Sequence, residues 1–153
     1  MSDAEVTHLV PFIFEKASSA KGRFKEVYWD LIEQIKSEDL LPPKVVGPLV
    51  CAAVMEGSSH PKARLLAYQE GHACVEMIGL SGIGKRGVLA AAKQLSVEKV
   101  QENKHAALDL LALILSKMNG DMNRFSRICG ASLTPKSRSM IEERMKKLSL
   151  IHI

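Results

Sequence analysis

The sequence predicts an all-α fold, and three observations lead to that prediction. Apolar residues recur at the three- and four-residue spacing of an amphipathic helix along nearly the whole chain, and the alternation typical of β-strands is not seen. Aromatic residues make up only 5% of the 153 residues, so alanine, leucine and methionine fill the interior, which suits packed helices. The chain also repeats itself at a fixed interval.

The repeat is visible when residues 8–23 are laid over residues 49–64 without a gap. Apolar positions fall on apolar positions, and four polar residues fall on identical ones: Glu15 on Glu56, Ser18 on Ser59, Lys21 on Lys62 and Arg23 on Arg64. One further step carries Arg64 to His105, beside Lys104. A period of roughly 40 residues, with a helix, a short polar loop and a second helix, is typical of an α-solenoid of stacked HEAT-repeat helix pairs.

The first two helix pairs follow from apolar stripes at helical spacing. One pair consists of helices over residues 6–17 and 24–38, separated by a short break. After a turn at Leu40–Pro43, the second pair consists of helices over residues 45–56 and 62–77. Pro48 is expected to kink the first of these, and the Gly-Ser-Ser-His-Pro segment between them predicts a loop.

The remaining elements begin after a glycine-rich link over residues 79–87. A short alanine-rich helix over residues 88–95 and a polar segment precede the most apolar helix, over residues 105–118. That helix is expected to stop at Asn119-Gly120, where glycine favours a helix end.

Two start signals predict the last helices. Asp121 can cap a helix that runs through Ile128, and Thr134-Pro135 is a strong start for a helix through Met145. The final residues, 148–153, match the translation of a common transposase-end sequencing adaptor, so we expect an adaptor-derived tail. The repeat domain is therefore placed at residues 3–147.

The composition narrows the class of protein. A hydrophobic content of 46% with 25% charged residues is typical of one soluble globular domain. No apolar run reaches the ~18 residues that span a bilayer, and the chain begins without a signal segment, so we expect a cytoplasmic protein. The net charge of +4 favours an acidic partner, and because basic and acidic residues are interleaved, an acidic protein is favoured over nucleic acid.

The motifs that would indicate an enzyme are incomplete. Gly79–Lys85 matches the first part of a phosphate-binding loop, but Arg86 stands where Ser or Thr must hold magnesium. The histidines that precede the segment 148–153 are scattered outside any nucleophile signature: His8, His60, His72 and His105. Glu142 and Glu143 precede basic residues on one helix, as surface charges do. The sequence therefore predicts neither an enzyme nor a cofactor.

The three cysteines lie among apolar neighbours and in no metal-ligand spacing: Cys51, Cys74 and Cys129. We expect core residues in a reducing compartment, and a metal or redox role is the alternative.

The strongest functional candidates are cations at equivalent positions of the predicted loops: Lys21, Arg23, Lys62, Arg64 and Lys104. The loops of successive helix pairs in such a stack lie about 10 Å apart, so these cations would form a basic ridge along one edge. A ridge of this kind suits an extended acidic protein surface, where several exposed ion pairs contribute specificity and fast encounter. The alternative is that these residues simply begin solvent-facing helices.

A family resemblance is carried by the stretch from Gln101 to Lys147. A basic residue, a HAAL helix, a glycine stop, a short helix and then SMIEER at Ser139–Arg144 follow one another. This order resembles the end of a TOG domain in the ch-TOG/Mini spindles group of microtubule polymerases, in particular the C-terminal half of a late TOG domain. Upstream, residues 9–17 and Gly57–Arg64 are similar in order, but more loosely.

The resemblance implies a non-catalytic module that binds the tubulin dimer or a microtubule end, and that regulates plus-end growth and spindle organisation. The implied contacts come from the intra-repeat loops, which carry Lys21, Arg23, Lys62, Arg64 and Lys104. It also implies that the chain is a monomeric part of a larger protein, located on cytoplasmic microtubules, the spindle, the centrosome or the kinetochore. It implies no binding to nucleic acid, to a membrane or to a cofactor.

Two alternatives to the tubulin-binding interpretation stay open. One is a structural HEAT-repeat scaffold that binds another protein through a helical face. The other is a nucleotide-dependent enzyme that uses Lys85. Trp29 is not expected to be the tryptophan that anchors tubulin in the family, because it lies inside an amphipathic helix and is expected to pack between helices.

Overall fold

A computed structural model describes residues 3–37 and 43–151, and these form helices joined by short turns, without a strand among them. The predicted all-α class is therefore confirmed. The α-helices are, in chain order, α1 (Asp3–Ser19), α2 (Arg23–Ser37), α3 (Pro43–Val45), α4 (Ala52–Gly57), α5 (Pro61–Ile78), α6 (Gly84–Leu95), α7 (Gln101–Lys117), α8 (Met122–Cys129) and α9 (Pro135–Ile151). A π-helical stretch, Val46–Cys51, joins α3 to α4, and short 3₁₀ turns follow α5 and α8.

The start and stop signals of the C-terminal half act as the sequence predicts. The Asp121 carboxylate accepts a hydrogen bond from the Arg124 N–H at 3.1 Å, and the Thr134 hydroxyl accepts one from the Ser137 N–H at 3.1 Å. Asn119 and Gly120 have positive φ angles of 58° and 74° and end α7. These contacts satisfy backbone groups that helix ends leave without partners.

The predicted starts of α6 and α7 are too late by about one turn, because tertiary packing orders segments that are polar or glycine-rich. α6 begins at Gly84 and not at residue 88, since Gly87 is buried directly against the fully buried side chain of Ile83. α7 begins at Gln101 and not at residue 105, since the buried Asn103 side chain anchors its first turn. Of the predicted turn, residues 40–42 lie outside the described chain and Pro43 opens α3.

Pro48, where the sequence predicts a kink, lies in the π-helical stretch Val46–Cys51. Proline has no N–H for the regular helical bond, and the wider π turn accommodates it.

The π-helical stretch lies against the 3₁₀ turn Gly79–Gly82 at a separation that only glycine permits. A Cβ on Gly47 would overlap the carbonyl oxygen of Gly82, and a Cβ on Gly82 would overlap the backbone carbonyl of Cys74 on α5. Three backbone segments therefore meet without side chains between them. The placement of α3 and α4 on α5 depends on this contact.

The helices form two rows. α5 contacts α1 and α7, and α7 in turn contacts α9, whereas α6 contacts α4 and α8 in the other row. α5 and α7 run parallel, because Pro61 and Asn103 meet near their first turns and Gly71 and Leu110 meet near their centres. α9 lies beside α7, where Arg144 reaches Asp109, and α9 extends into the segment 148–153 as far as Ile151.

The core between the rows is dominated by small and aliphatic side chains with few aromatic ones. Its largest fully buried members include Tyr68, Phe125 and Met55. All three cysteines are buried free thiols, as the sequence predicts. Burial raises the pKa of the Cys129 thiol to about 11, so this thiol is protonated at neutral pH and a poor nucleophile.

Candidate interaction edge

The three turns that lie at or just before the predicted ridge cations are found at one end of the molecule, where Ala17, Lys62 and Glu102 line one cavity. The turns span residues 20–22, 58–60 and 96–100, and we call this end the loop edge. A cavity of about 280 Å³ lies beside it and is lined from several helices, by Ala17 near the end of α1, Trp29 of α2, Lys62 of α5 and Glu102 of α7. Trp29 is half-buried and packs between helices, in agreement with its predicted role.

Hydrogen bonds tie the start of α7 to the start of α5, and tie the second turn to α5. The Asn103 side-chain amide, at the start of α7, donates to the carbonyl oxygen of Pro61, at the start of α5, over 2.8 Å. Arg64 Nη1 donates to the carbonyl oxygen of Ser58 over 2.9 Å, and the Ser58 hydroxyl accepts from the His60 N–H. The turn at residues 58–60 is thereby fixed relative to α5 and α7.

A buried charge network crosses the same junction. Arg64 donates from Nε and Nη2 to the two carboxylate oxygens of Glu98, at 3.1 and 2.7 Å. The Tyr68 hydroxyl donates to Glu98 Oε2 at 2.8 Å. The Glu98 side chain has no exposed surface and that of Arg64 is 15% exposed. This two-pronged geometry is among the stronger forms of a protein ion pair.

The partners of Glu98 outweigh the cost of burying its charge. Burial by itself would raise the pKa of Glu98, but hydrogen bonds from Arg64 and Tyr68 bring that pKa below its ordinary value. The hydrogen bond to Glu98 raises the pKa of Arg64, and burial, together with the bond to Glu98, raises the pKa of Tyr68. The network is therefore an ionised pair plus a neutral phenol at physiological pH.

The five predicted ridge cations differ in their exposure and in their partners. Lys21 lies in a turn and is exposed. The other four do not lie in loops as predicted, because the helices begin earlier: Arg23 begins α2, Lys62 and Arg64 lie in the first turn of α5, and Lys104 lies in the first turn of α7. Arg23 and Lys62 are exposed, and Lys104 is half-buried. The guanidinium of Arg64, by contrast, is directed into the network with Glu98 and Ser58. Whether these five residues contact a partner stays a prediction, but Arg64 has a structural role that its position in the repeat did not reveal.

Sequence reasoning missed three residues of this junction: Tyr68, Glu98 and Asn103. Each carries a polar group that is buried in the fold. The sequence analysis assigned Tyr68 only to a helix, and Glu98 and Asn103 only to a polar segment. A signal was present in the tyrosine on the apolar side of α5, because a buried hydroxyl requires a partner.

The other candidates have ordinary structural surroundings. Lys85 lies in the first turn of α6 and follows a 3₁₀ turn, whereas a phosphate-binding loop requires a preceding strand. His72 forms a 2.6 Å contact with Glu76 one turn away, and His105 lies between Gln101 and Arg144 at the helix surface. These two histidines contact neighbouring polar side chains, as expected for histidines at a helix edge.

Neither a metal centre nor a membrane span is found in residues 3–37 and 43–151. No group of three or more His, Cys, Asp or Glu side chains there is arranged to hold a metal ion. No helix in this part of the chain has both the length and the apolar character to cross a bilayer. Comparisons of the chain with family models, curated proteins and solved structures find no match.

We expect acid to weaken the fold through Glu98. Its lowered pKa in the folded state means that its stabilising contribution is present above the ordinary glutamate value of ~4.3 and is lost as pH falls through the lower folded value. Urea unfolding at pH 7, 5, 4 and 3 should show a steep loss of unfolding free energy below about pH 4. The variant Glu98→Gln should lose less unfolding free energy over the same pH interval. If the unfolding free energies of the two proteins depended equally on pH, Glu98 would not be the group responsible.

Proposed function

We propose that this chain is a non-catalytic tubulin-binding module, built as a HEAT-repeat solenoid and corresponding to the C-terminal half of a TOG domain from a microtubule polymerase. Its role would be to capture tubulin dimers, or a microtubule end, during plus-end growth in the cytoplasm and on the spindle. Three features support this proposal: helices joined by short turns, a sequence repeat near 40 residues, and the SMIEER segment at Ser139–Arg144.

The observation that carries the proposal is the junction between the second and third turns. Because Asn103 bonds to Pro61 and Arg64 bonds to Glu98, the two turns are held side by side on the loop edge. Lys62 directly follows Pro61 in α5, and Lys104 directly follows Asn103 in α7, so their charges belong to one rigid surface. Preorganised cations of this kind suit an acidic protein partner such as tubulin.

Within this proposal the predicted contact residues divide into two groups. Lys21, Arg23, Lys62 and Lys104 would meet the acidic partner. Arg64 would act as a positioning residue, because its guanidinium is occupied by Glu98 and by the carbonyl of Ser58.

Charge reversal at Lys62 and Lys104 tests the proposal. We expect the double variant Lys62→Glu and Lys104→Glu to weaken tubulin binding by about tenfold or more at low salt, since exposed ion pairs each contribute up to ~1 kcal/mol and reversal adds repulsion. Size-exclusion co-elution and fluorescence anisotropy with purified tubulin dimers measure this effect.

The matched control is Lys117→Glu with Lys146→Glu. Both residues are exposed and lie toward the C-terminal ends of α7 and α9, away from the loop edge, and the change in net charge is the same. This control should retain binding within about twofold. No tubulin association of the native chain at low salt, or equal losses in the two double variants, would rule the loop edge out as the contact surface.

A further inference from the structure

The outer surface of α6 and α8 is basic, and this charge does not belong to the loop edge. The two helices contact each other, and neither contains an aspartate or a glutamate. Their exposed side chains include a leucine and several cations: Lys85, Arg86, Leu89, Lys93, Arg124 and Arg127. By contrast, the other row, α5, α7 and α9, carries acidic side chains on each of its helices.

Two of these cations have partners in the fold, and one of them, Arg127, donates from Nε to the carbonyl oxygen of Asn123 on its own helix over 3.4 Å. The other, Arg86, pairs with Glu56 of α4 at 2.9 Å. None of the ion pairs seen within the described ranges involves Lys85, Lys93, Arg124 or Arg127. We call Lys85, Leu89, Lys93, Arg124 and Arg127 the basic face.

The spacing along α6 suits an extended chain. Lys85, Leu89 and Lys93 follow one another at four-residue steps on the exposed stripe, so their positions are about 6 Å apart along the helix. Alternate side chains of an extended peptide are separated by a similar ~6.6 Å. Leu89, which is 41% exposed, lies between the two lysines and offers an apolar contact at the centre of the row.

We propose that the basic face binds an extended acidic protein segment, in which acidic, apolar and acidic side chains alternate along one side. Two carboxylates would meet Lys85 and Lys93, an apolar side chain would lie on Leu89, and Arg124 and Arg127 of the adjacent α8 would contact further acidic residues. Exposed ion pairs of this kind give specificity and fast encounter with modest affinity. The inference does not rest on tubulin binding at the loop edge, because it uses a different surface.

The same observations disfavour other anionic partners. α6 contains no aromatic residue, and the single aromatic residue of α8, Phe125, is fully buried, so the face offers no platform on which nucleic-acid bases could stack. Among its five residues Leu89 alone is apolar, whereas a helix that binds at a membrane surface buries a whole apolar stripe in the lipid. An acidic peptide is the partner that uses both the charges and the leucine.

Fluorescence anisotropy with a labelled peptide tests this proposal. The probe repeats the unit Glu-Ser-Leu-Ser-Glu, and a scrambled peptide of the same composition is compared with it. The double variant Lys93→Glu with Arg127→Glu should bind the probe about tenfold more weakly, and Leu89→Ser about threefold more weakly. The control Lys117→Glu with Lys146→Glu should stay within about twofold of the native chain. Circular dichroism verifies that each variant is folded.

Four results would overturn the proposal. The first is no binding of the probe at low salt, and the second is equal binding of probe and scrambled peptide. The third is an equal loss in the control, which would indicate net charge alone. The fourth is tighter binding of a 12-nucleotide single-stranded DNA or of phosphatidylserine vesicles than of the peptide, with the same sensitivity to Lys93 and Arg127.

Discussion

Replacing Gly47 by alanine is expected to lower the free energy of unfolding by about 4 kcal/mol, at the upper end of single-residue effects. The added methyl group would overlap the carbonyl oxygen of Gly82, which is backbone and cannot rotate away. The 3₁₀ turn Gly79–Gly82 cannot move away either, because Gly82 is itself packed against the backbone of Cys74. Urea unfolding followed by circular dichroism measures the loss.

Gly57 provides the matched control for this prediction. It is also a helical glycine, at the end of α4, and a Cβ there would meet nothing within 4 Å. Gly57→Ala should therefore change stability by less than about 1 kcal/mol, since only the glycine's backbone freedom and helix propensity are altered. A Gly47→Ala protein as stable as Gly57→Ala would show that the π-helical stretch moves away at little cost.

Truncating either member of the buried ion pair is the second large effect. We expect Arg64→Ala and Glu98→Ala each to cost about 3 kcal/mol. The first leaves a carboxylate without its cation in a site with no exposed surface, and the second leaves Arg64 and the Tyr68 hydroxyl without their acceptor. Arg64→Lys should recover only part of the loss, because an ammonium cannot make both parallel hydrogen bonds.

The exposed pair between Arg86 and Glu56 is a natural control. It also has two hydrogen bonds, at 3.3 and 2.9 Å, but its side chains are 51% and 42% exposed. A double-mutant cycle should give a coupling energy of about 1 kcal/mol or less for this pair and clearly more for Arg64 with Glu98. Equal coupling energies in the two cycles would mean that burial does not strengthen the internal pair.

The sequence predicted most helices because they are specified locally. The apolar periodicity of α5 and α7, the cap at Asp121 and the stop at Gly120 depend on neighbouring residues, and the structure agrees with each. The starts of α6 and α7 could not be predicted in this way. Ile83 orders the glycine-rich start of α6 through burial, and burial is set by helices distant in the sequence.

The loop edge, too, was only partly predictable, because some of its contacts join residues that are far apart in the sequence. The repeat placed Lys62, Arg64 and Lys104 at equivalent positions but could not show in which direction each side chain points. Arg64 turns inward because Glu98, which is 34 residues away, supplies a buried carboxylate. A pairing over that distance has no periodic signature, so only the folded structure reveals it.

The bonds across the α5–α7 junction have a mechanical consequence. To slide α7 along α5 by one helical turn, about 5.4 Å, the molecule would have to break the Asn103–Pro61, Arg64–Glu98 and Tyr68–Glu98 bonds together. The slipped arrangement would leave the charged carboxylate of Glu98 without partners in an apolar interior. Shear at this joint is therefore blocked, and any flexing must occur by tilting the helices with their register unchanged.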